Sequence, residues 1–258
     1  MNDLQRLANL ERQFRRRPQS YRGAPGSGEL KFIAFLVSTA GAGRDDRVLD
    51  VACGTGALTL AFADRCGSAV GIDIMAPALA RARSEAAQRD LANVEFTLGE
   101  LERMPFADGA FTGAACRFSF HHIVNPERVF AEMARVVDPH GWMVIADMTA
   151  SEEDAKAALH NELERLADPT HARTLAASEF ENIFAAHGFR TVMKIARDAR
   201  TTVDEWIGFN ETSPDDAARI RKLMEGSLEG DGAGLRAIRD GATIRTIRTS
   251  MTFVIERQ

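Results

Sequence analysis

Cysteine is scarce in this 258-residue chain, and the three present, Cys53, Cys66 and Cys116, are odd in number and never spaced as Cys-x-x-Cys. Neither a disulfide framework nor a zinc site built from such pairs is indicated, and the thiols are expected to be reduced and mostly buried. Positive charge is also in short supply: the net charge is -5. A chain without a basic face is poorly suited to nucleic acid as its main partner, since phosphate backbones need one. Arg15, Arg16 and Arg17 form the one local basic run, read as a solvated or lid-flanking face. No apolar run approaches the ~20 residues that span a bilayer. Met1 to Arg17 is polar and charged, unlike a signal peptide, so a cytoplasmic protein without a membrane partner is expected. No carboxylate-rich set of metal ligands is evident, and no metal is expected; Asp147, at a strand end, leaves a small opening.

What the chain does have is 45% hydrophobic content, ample for one α/β domain with a small appendage. Its most informative stretch is Val48 to Gly56, Val-Leu-Asp-Val-Ala-Cys-Gly-Thr-Gly. Val48, Leu49 and Val51 make the apolar run of a strand covered on both faces, and Gly54 and Gly56 lack the Cβ that would hold a ligand away from the backbone. A helix starting at Ala57 would point its free N–H groups and dipole at whatever lies over that turn. A second apolar run, Ala69 to Ile74, carries Asp73 near its end, where a carboxylate can accept both hydroxyls of an adenosine ribose.

Two ligand classes suit such a turn. A dinucleotide fingerprint needs a third glycine three residues past Gly56, yet Thr59 stands there. Asp50, just before the turn, would repel a pyrophosphate but could anchor the ammonium of an amino acid, directly or through water. The ligand suggested is S-adenosylmethionine, adenosine at one end and an amino acid at the other.

Four blocks in order, VLDVACGTG, GIDIMAPALARAR, GELERMPFADGAF and CRFSFHHIVNPERVFAEMARVVDPHGWMVIADM, resemble class I S-adenosylmethionine-dependent methyltransferases, closest to the ubiquinone/menaquinone-biosynthesis-like group. The resemblance runs from about Val48 to Asp147 and returns more weakly to the end. It implies a doubly wound, Rossmann-like seven-stranded sheet with its last strand antiparallel, and conversion of S-adenosylmethionine to S-adenosylhomocysteine. It also implies that Glu100 lies near the adenine amino group, where the usual residue is Asp, with Leu101 flanking by its backbone. In relatives the N-terminal segment folds over the cofactor, which offers Tyr21 to its carboxylate. Thr112 stands where the family usually has Asp, a departure of minor structural weight. Ligands bind outside the carboxyl ends of parallel strands, so the expected cofactor set is Asp50, Ala52, Gly54, Gly56, Asp73, Ile74, Met75, Gly99, Glu100, Leu101, Arg117 and Tyr21. Met75 could pack on the adenine or simply fill the core.

Around the blocks, Leu4 to Arg16 reads as an amphipathic helix, Pro18 to Gly28 as a hinge and Leu30 to Ala40 as a second helix. The expected division is a lid segment over 1–28 and a methyltransferase domain over 29–258, with pocket-covering insertions at 151–177 and 202–240. The further strands are Ala69 to Asp73, Val94 to Leu98, Phe111 to Arg117 and Trp142 to Asp147, then a closing pair, Thr191 to Ile195 and Met251 to Glu256. Asn125 and Pro126 read as the cap and first residue of a helix. The first helix could serve a homodimer as easily as a lid.

Methyl transfer is an in-line displacement at an already activated sulfonium, so alignment dominates, and a base helps where the acceptor must lose a proton. His121 and His122 follow the fourth strand, and side chains alternating along an extended backbone would point them different ways. His122 is favoured as the base because it would share a face with Phe118 and Phe120, which could line an apolar acceptor pocket, leaving Phe118 and His121 as substrate contacts. The block Asp168-Pro169-Thr170-His171-Ala172-Arg173 has counterparts near the pocket mouth in relatives. It offers His171 as a second candidate base and Arg173 as a bidentate holder of an acidic or carbonyl acceptor; a turn plus helix cap explains it as well. The function expected is methyl transfer to a small acceptor such as a quinol, phenol, amine or natural-product intermediate. The alternative is a non-methyl-transfer biosynthetic step on the same cofactor-binding fold, and a nicotinamide-dependent oxidoreductase is disfavoured by Thr59 and Asp50.

Overall fold

The computed structural model describes residues 27–258. The expected helix at Leu4 to Arg16, most of the hinge and Tyr21 with its cofactor contact lie outside the described residues. Helix α1 (Ser27–Ala40) begins three residues before the expected Leu30 and takes in Gly28, which had been assigned to the hinge. It leads into β1 (Arg47–Val51), α2 (Ala57–Ala63), β2 (Ser68–Asp73), α3 (Ala76–Gln88), β3 (Val94–Leu98) and β4 (Phe111–Arg117). A 3-10 turn (Phe120–His122), α4 (Pro126–Val136), β5 (Val137–Met148), α5 (Asp154–Ala167) and α6 (Ala177–Ala186) follow. The chain then runs through β6 (Phe189–Thr202), α7 (Val203–Asn210), α8 (Pro214–Gly226), β7 (Ile238–Asp240) and β8 (Thr243–Arg257).

The strands join in the order β3-β2-β1-β4-β5-β8-β6, the first five parallel and β8 antiparallel to both neighbours, with short β7 added alongside β8. The order reverses between β1 and β4, the crevice where ligands of open α/β sheets sit. Alternation along the strands sorts the core into two layers. Leu49, Val51, Ile72, Cys116 and Ile145 meet Phe130 and Met133 of α4 and Phe180 and Phe184 of α6. On the other face Val48, Ala69, Ala115, Val144 and Val254 meet Phe32 and Leu36 of α1 and Leu58 and Phe62 of α2.

The closing strands are far longer than the hydrophobic pattern predicts: β6 and β8 stay paired from Phe189 opposite Arg257 to Thr202 opposite Arg245. The outer half of β8 repeats Thr-Ile-Arg with a period of three and that of β6 reads Ala-Arg-Asp-Ala-Arg-Thr-Thr, so neither shows the period-two hydrophobic alternation of a strand. This arm supports a cap with its own core, formed by Leu163 and Ala167 of α5, Trp206 and Ile207 of α7, and Ile220 and Met224 of α8. Thr202 starts α7 as a capping box: its Oγ1 accepts the Glu205 N–H at 3.1 Å while Glu205 accepts the Thr202 N–H at 2.8 Å. Asn125 flanks α4 but forms no side-chain cap; its amide donates to Glu102 at 2.8 Å.

The two glycines of the first turn have different reasons. Gly54 has φ +55° with open space where a Cβ would stand, whereas at Gly56, φ +81°, a Cβ would lie 2.9 Å from both Ala82 and the Phe96 ring. Gly56 therefore serves packing of the turn against α3 and β3. Gly56→Ala is expected to lower the unfolding free energy by about 2–4 kcal/mol, combining left-handed strain with overpacking. Gly54→Ala should cost about 1 kcal/mol. Urea unfolding of the two variants measures the difference.

Candidate active site

A cleft of about 2160 Å³ opens at the carboxyl ends of β1, β2 and β4, roofed on one side by α1 and on the other by the cap. A drug-sized ligand typically occupies about 300–1,000 Å³, so there is room for two molecules. Of the residues expected around a cofactor, Asp50, Ala52, Gly54, Asp73, Ile74, Met75, Glu100, Leu101 and Arg117 line it. Gly56 and Gly99 do not: Gly56 is occupied with the packing just described, and a Cβ at Gly99 would meet Ile72 at 3.1 Å.

Asp73 is 6% exposed and accepts the backbone N–H groups of Gly54 and Met75, each at 2.8 Å. Burial raises its pKa against the opposing pull of those amides. Asp50 accepts the Thr59 hydroxyl at 2.6 Å. The residue that replaces a third glycine thus orients the acid before the turn. Burial pushes the Asp50 carboxyl up to about 7, against the Thr59 hydrogen bond and the Arg117 charge. Arg117 also forms an ion pair with Glu29 of α1 at 3.0 Å. Ala52 and Phe118, at the tips of β1 and β4, both adopt left-handed backbone, φ +56° and +51°. Such conformations cost about 1–3 kcal/mol for residues with a side chain and concentrate at functional sites. Ser119 links the two tips, its Oγ donating to the Ala52 carbonyl at 3.4 Å.

The histidines depart from expectation. Beyond Arg117 the chain leaves the sheet and turns as a 3-10 helix, so His121 and His122 are not on opposite faces. Both line the cleft, with ring centroids 4.2 Å apart. Phe120 instead enters the sheet core, edge-on to Phe180 at 5.6 Å, while Phe118 lines the cleft and stacks on Phe32 at 5.5 Å. His171 joins the cluster 5.8 Å from the His121 ring and 6.5 Å from that of His122. Arg173 does not; it is exposed, ion-paired with Glu179, and lines a separate surface hollow beside α5.

Each of the three rings is held by one nitrogen. His121 Nδ1 lies 2.6 Å from the fully buried Asp147, whose carboxylate also accepts the Phe120 and Met148 N–H groups at 2.6 and 2.7 Å. His122 Nδ1 faces the Thr170 carbonyl and hydroxyl, both at 3.2 Å. Since that hydroxyl already donates to Asp168 at 2.6 Å, the His122 nitrogen must be the donor. His171 Nε2 faces the Asn161 carbonyl oxygen at 3.1 Å. Each partner is an acceptor, which leaves Nε2 of His121, Nε2 of His122 and Nδ1 of His171 with lone pairs.

Their basicities diverge. Burial works against the His121 imidazolium, but the charge and hydrogen bond of Asp147 outweigh it and raise the pKa. Without a bonded carboxylate, burial and the neighbouring His121 lower His122 to about 4. Burial, only partly countered by Glu164, lowers His171 to about 3. At neutral pH, His121 is the strongest base on this wall, and its distinguishing partner, Asp147, comes from a strand 26 residues away. Sequence spacing gives no signal for that pairing. Among the described residues no group of three or more His, Cys, Asp or Glu is placed to hold a metal ion, and no helix is long and apolar enough to cross a membrane.

Comparison with known proteins accords with this geometry. A family model described as a methyltransferase domain matches residues 49–145. The chain is 30% identical over 177 residues to the uncharacterized methyltransferase YcgJ of Bacillus subtilis, covering 69% of this chain and 70% of the relative. It is 27% identical over 203 residues to a demethylmenaquinone methyltransferase of Renibacterium salmoninarum, covering 76% and 81%. The crystal structure of Bacillus subtilis YcgJ superposes with a TM-score of 0.80 at 26% identity, over 88% of this chain and 98% of that one. A putative methyltransferase from Bacillus halodurans superposes with 0.82 at 23% identity over the same shares.

Proposed function

Because this chain belongs to the S-adenosylmethionine-dependent methyltransferases, we propose that it methylates a small aromatic acceptor bearing an ionisable hydroxyl, a quinol or phenol, with His121 as the base. The observation that carries this reading is the buried His121–Asp147 pair on the cleft wall. An amine acceptor already presents a lone pair, whereas a hydroxyl must lose its proton as the new bond forms. The demethylmenaquinone methyltransferase relative supports the same class.

The residues around the first turn fit S-adenosylmethionine. Asp73, still with lone pairs on both oxygens, would take the ribose hydroxyls, Glu100 and Met75 the adenine, and Asp50 the ammonium, with Arg117 near the carboxylate. When bound, the cofactor supplies a methyl group on a positively charged sulfur. The chain's part is to align and dehydrate. Phe118 on Phe32 walls the cleft beside Arg117, and α7 lends Trp206 to its far side. Asp147 holds His121 with Nδ1 protonated, so that Nε2 takes the acceptor's hydroxyl proton. His122 and His171, neutral at working pH, flank that nitrogen as hydrogen-bonding groups. The segment 1–28 as a lid, and 151–177 with 202–240 as pocket covers, complete the proposed domain organisation.

The test is release of S-adenosylhomocysteine from S-adenosylmethionine, followed by chromatography, with matched panels of phenols, hydroquinones and aromatic amines. Turnover confined to the hydroxyl panels is expected. Turnover with the amines alone would reassign the acceptor, and none with any panel would favour a non-transfer reaction on this fold.

A further inference from the structure

The far wall of the cleft, under the cap, holds a group of donors that the reading above leaves unused. Arg248 on β8 lies face-on to Trp206 of α7, its guanidinium carbon 3.9 Å from the ring centroid. Its Nη2 lies 3.0 Å from a Glu164 oxygen, an ion pair whose alignment is not that of a hydrogen bond. Among the described residues, Nε and Nη2 of Arg248 and the indole Nε1 of Trp206 are buried without a hydrogen-bond partner. Trp206 is 4% exposed, and 15% of the Arg248 side chain remains open. Both line the same cleft as His121.

All three orphan groups are donors and none can accept. A buried donor left unpaired costs free energy, and an arginine fork is shaped for a paired-oxygen anion. Glu164 balances the charge from 3.0 Å at Nη2 and leaves Nε without a partner, so the guanidinium is held against Trp206 with donor capacity to spare. The sheet register fixes where this lies relative to the base. Asp147 pairs with Met251 and Met148 with Ser250, the last pair of the two strands, and Arg248 lies on β8 past the end of β5. That is three residues along β8 from the partner of Asp147, about 10 Å.

We infer that Arg248 and Trp206 form an anchoring site for a carboxylate on the methyl acceptor, placed at the end of the molecule remote from the hydroxyl that faces His121. The inference rests on the proposed hydroxyaromatic acceptor and narrows it to hydroxyaromatic acids. It also accounts for the cap, whose helices α5 and α7 bring Glu164 and Trp206 to an arginine on the extended β8 arm.

The probes are 4-hydroxybenzoate and 6-hydroxy-2-naphthoate, each against its methyl ester, titrated calorimetrically into the full chain saturated with S-adenosylhomocysteine. The acid is expected to bind about tenfold more tightly than the ester in at least one pair, as charge-assisted hydrogen bonds are roughly twice as strong as neutral ones. Arg248→Lys keeps a positive charge beside Glu164 but loses the fork, and should bring acid and ester within about twofold. Trp206→Phe keeps the stacking face and loses the N–H, and should reduce the preference about threefold. Affinity for S-adenosylhomocysteine should be unchanged in both variants, which also certifies their folding. Equal binding of acid and ester by the parent protein, no binding of either, or a preference that survives Arg248→Lys would overturn the anchor. Binding alone decides this test, so an Arg248-dependent preference without methyl transfer would sink the proposed reaction while leaving the anchor standing.

Discussion

Replacing His121 with alanine is expected to lower kcat by about 10²- to 10⁴-fold, the range for removal of a positioned base, with S-adenosylmethionine affinity little changed. Its Nδ1 is taken by Asp147 at 2.6 Å, leaving Nε2 as the proton acceptor on the cleft wall. Only the unprotonated ring can act, so kcat/KM should rise with pH through a pKa above the usual histidine value, the direction Asp147 imposes. Asp147→Asn is the sharper variant because it keeps the size of the side chain and can still accept one of the Phe120 and Met148 N–H groups, which bond to different carboxylate oxygens. With the carboxylate gone, burial, the largest influence on the ring, lowers its pKa against only the more distant charges of Glu164 and Asp168. The acid limb of the profile should therefore move to lower pH while the plateau falls. His122→Ala should cost far less, since a ring with pKa about 4 is a weak base at neutral pH. A His121→Ala enzyme within threefold of the parent, or an acid limb unmoved in Asp147→Asn, would remove His121 from the reaction.

The difference between His121 and His122 also shows where sequence reading reached its limit. The parallel half of the sheet was legible because each strand from β1 to β4 is short, apolar and followed by a turn, and β4 runs over the expected Phe111–Arg117. The place of Asp73 in the cleft was legible because it ends a strand. The placement of the histidines was not, because it depends on the backbone leaving the strand at Phe118, whose left-handed φ no pattern of hydrophobicity announces. Glycine would have announced it. Arg248 was hidden for a related reason: the Thr-Ile-Arg repeat of β8 has a period of three rather than the period of two by which strands are recognised, and its partners Glu164 and Trp206 lie 84 and 42 residues away in sequence. Arg173 was the reverse case. The likeness of its block to segments near the pocket mouth in relatives suggested a place in the pocket, but the chain turns it outward onto Glu179.

Asp73→Ala is expected to weaken S-adenosylmethionine and S-adenosylhomocysteine binding by about 10²-fold or more, since hydrogen bonds to a charged group are worth about 1.5–3 kcal/mol each. The carboxylate does two things at once. It ties the glycine turn to the β2 end by accepting the Gly54 and Met75 N–H groups, and each oxygen keeps a lone pair for a ribose hydroxyl. Alanine removes both and should also cost about 1–3 kcal/mol of stability for the stranded amides. Asp73→Asn separates the two roles: it can still accept from one amide but offers a neutral acceptor and an N–H donor to the ribose, so binding should fall about tenfold with a smaller loss of stability. Calorimetric titration with the two adenosyl ligands and with NADH reads all of this directly. NADH should not bind, because Thr59 occupies the position of the third glycine and holds Asp50 at the start of the turn by a 2.6 Å hydrogen bond. Unchanged adenosyl binding in Asp73→Ala would move the ribose away from β2. NADH binding without adenosyl binding would mean that Asp50, whose carboxyl burial raises to about 7, stands there protonated and uncharged beside a pyrophosphate.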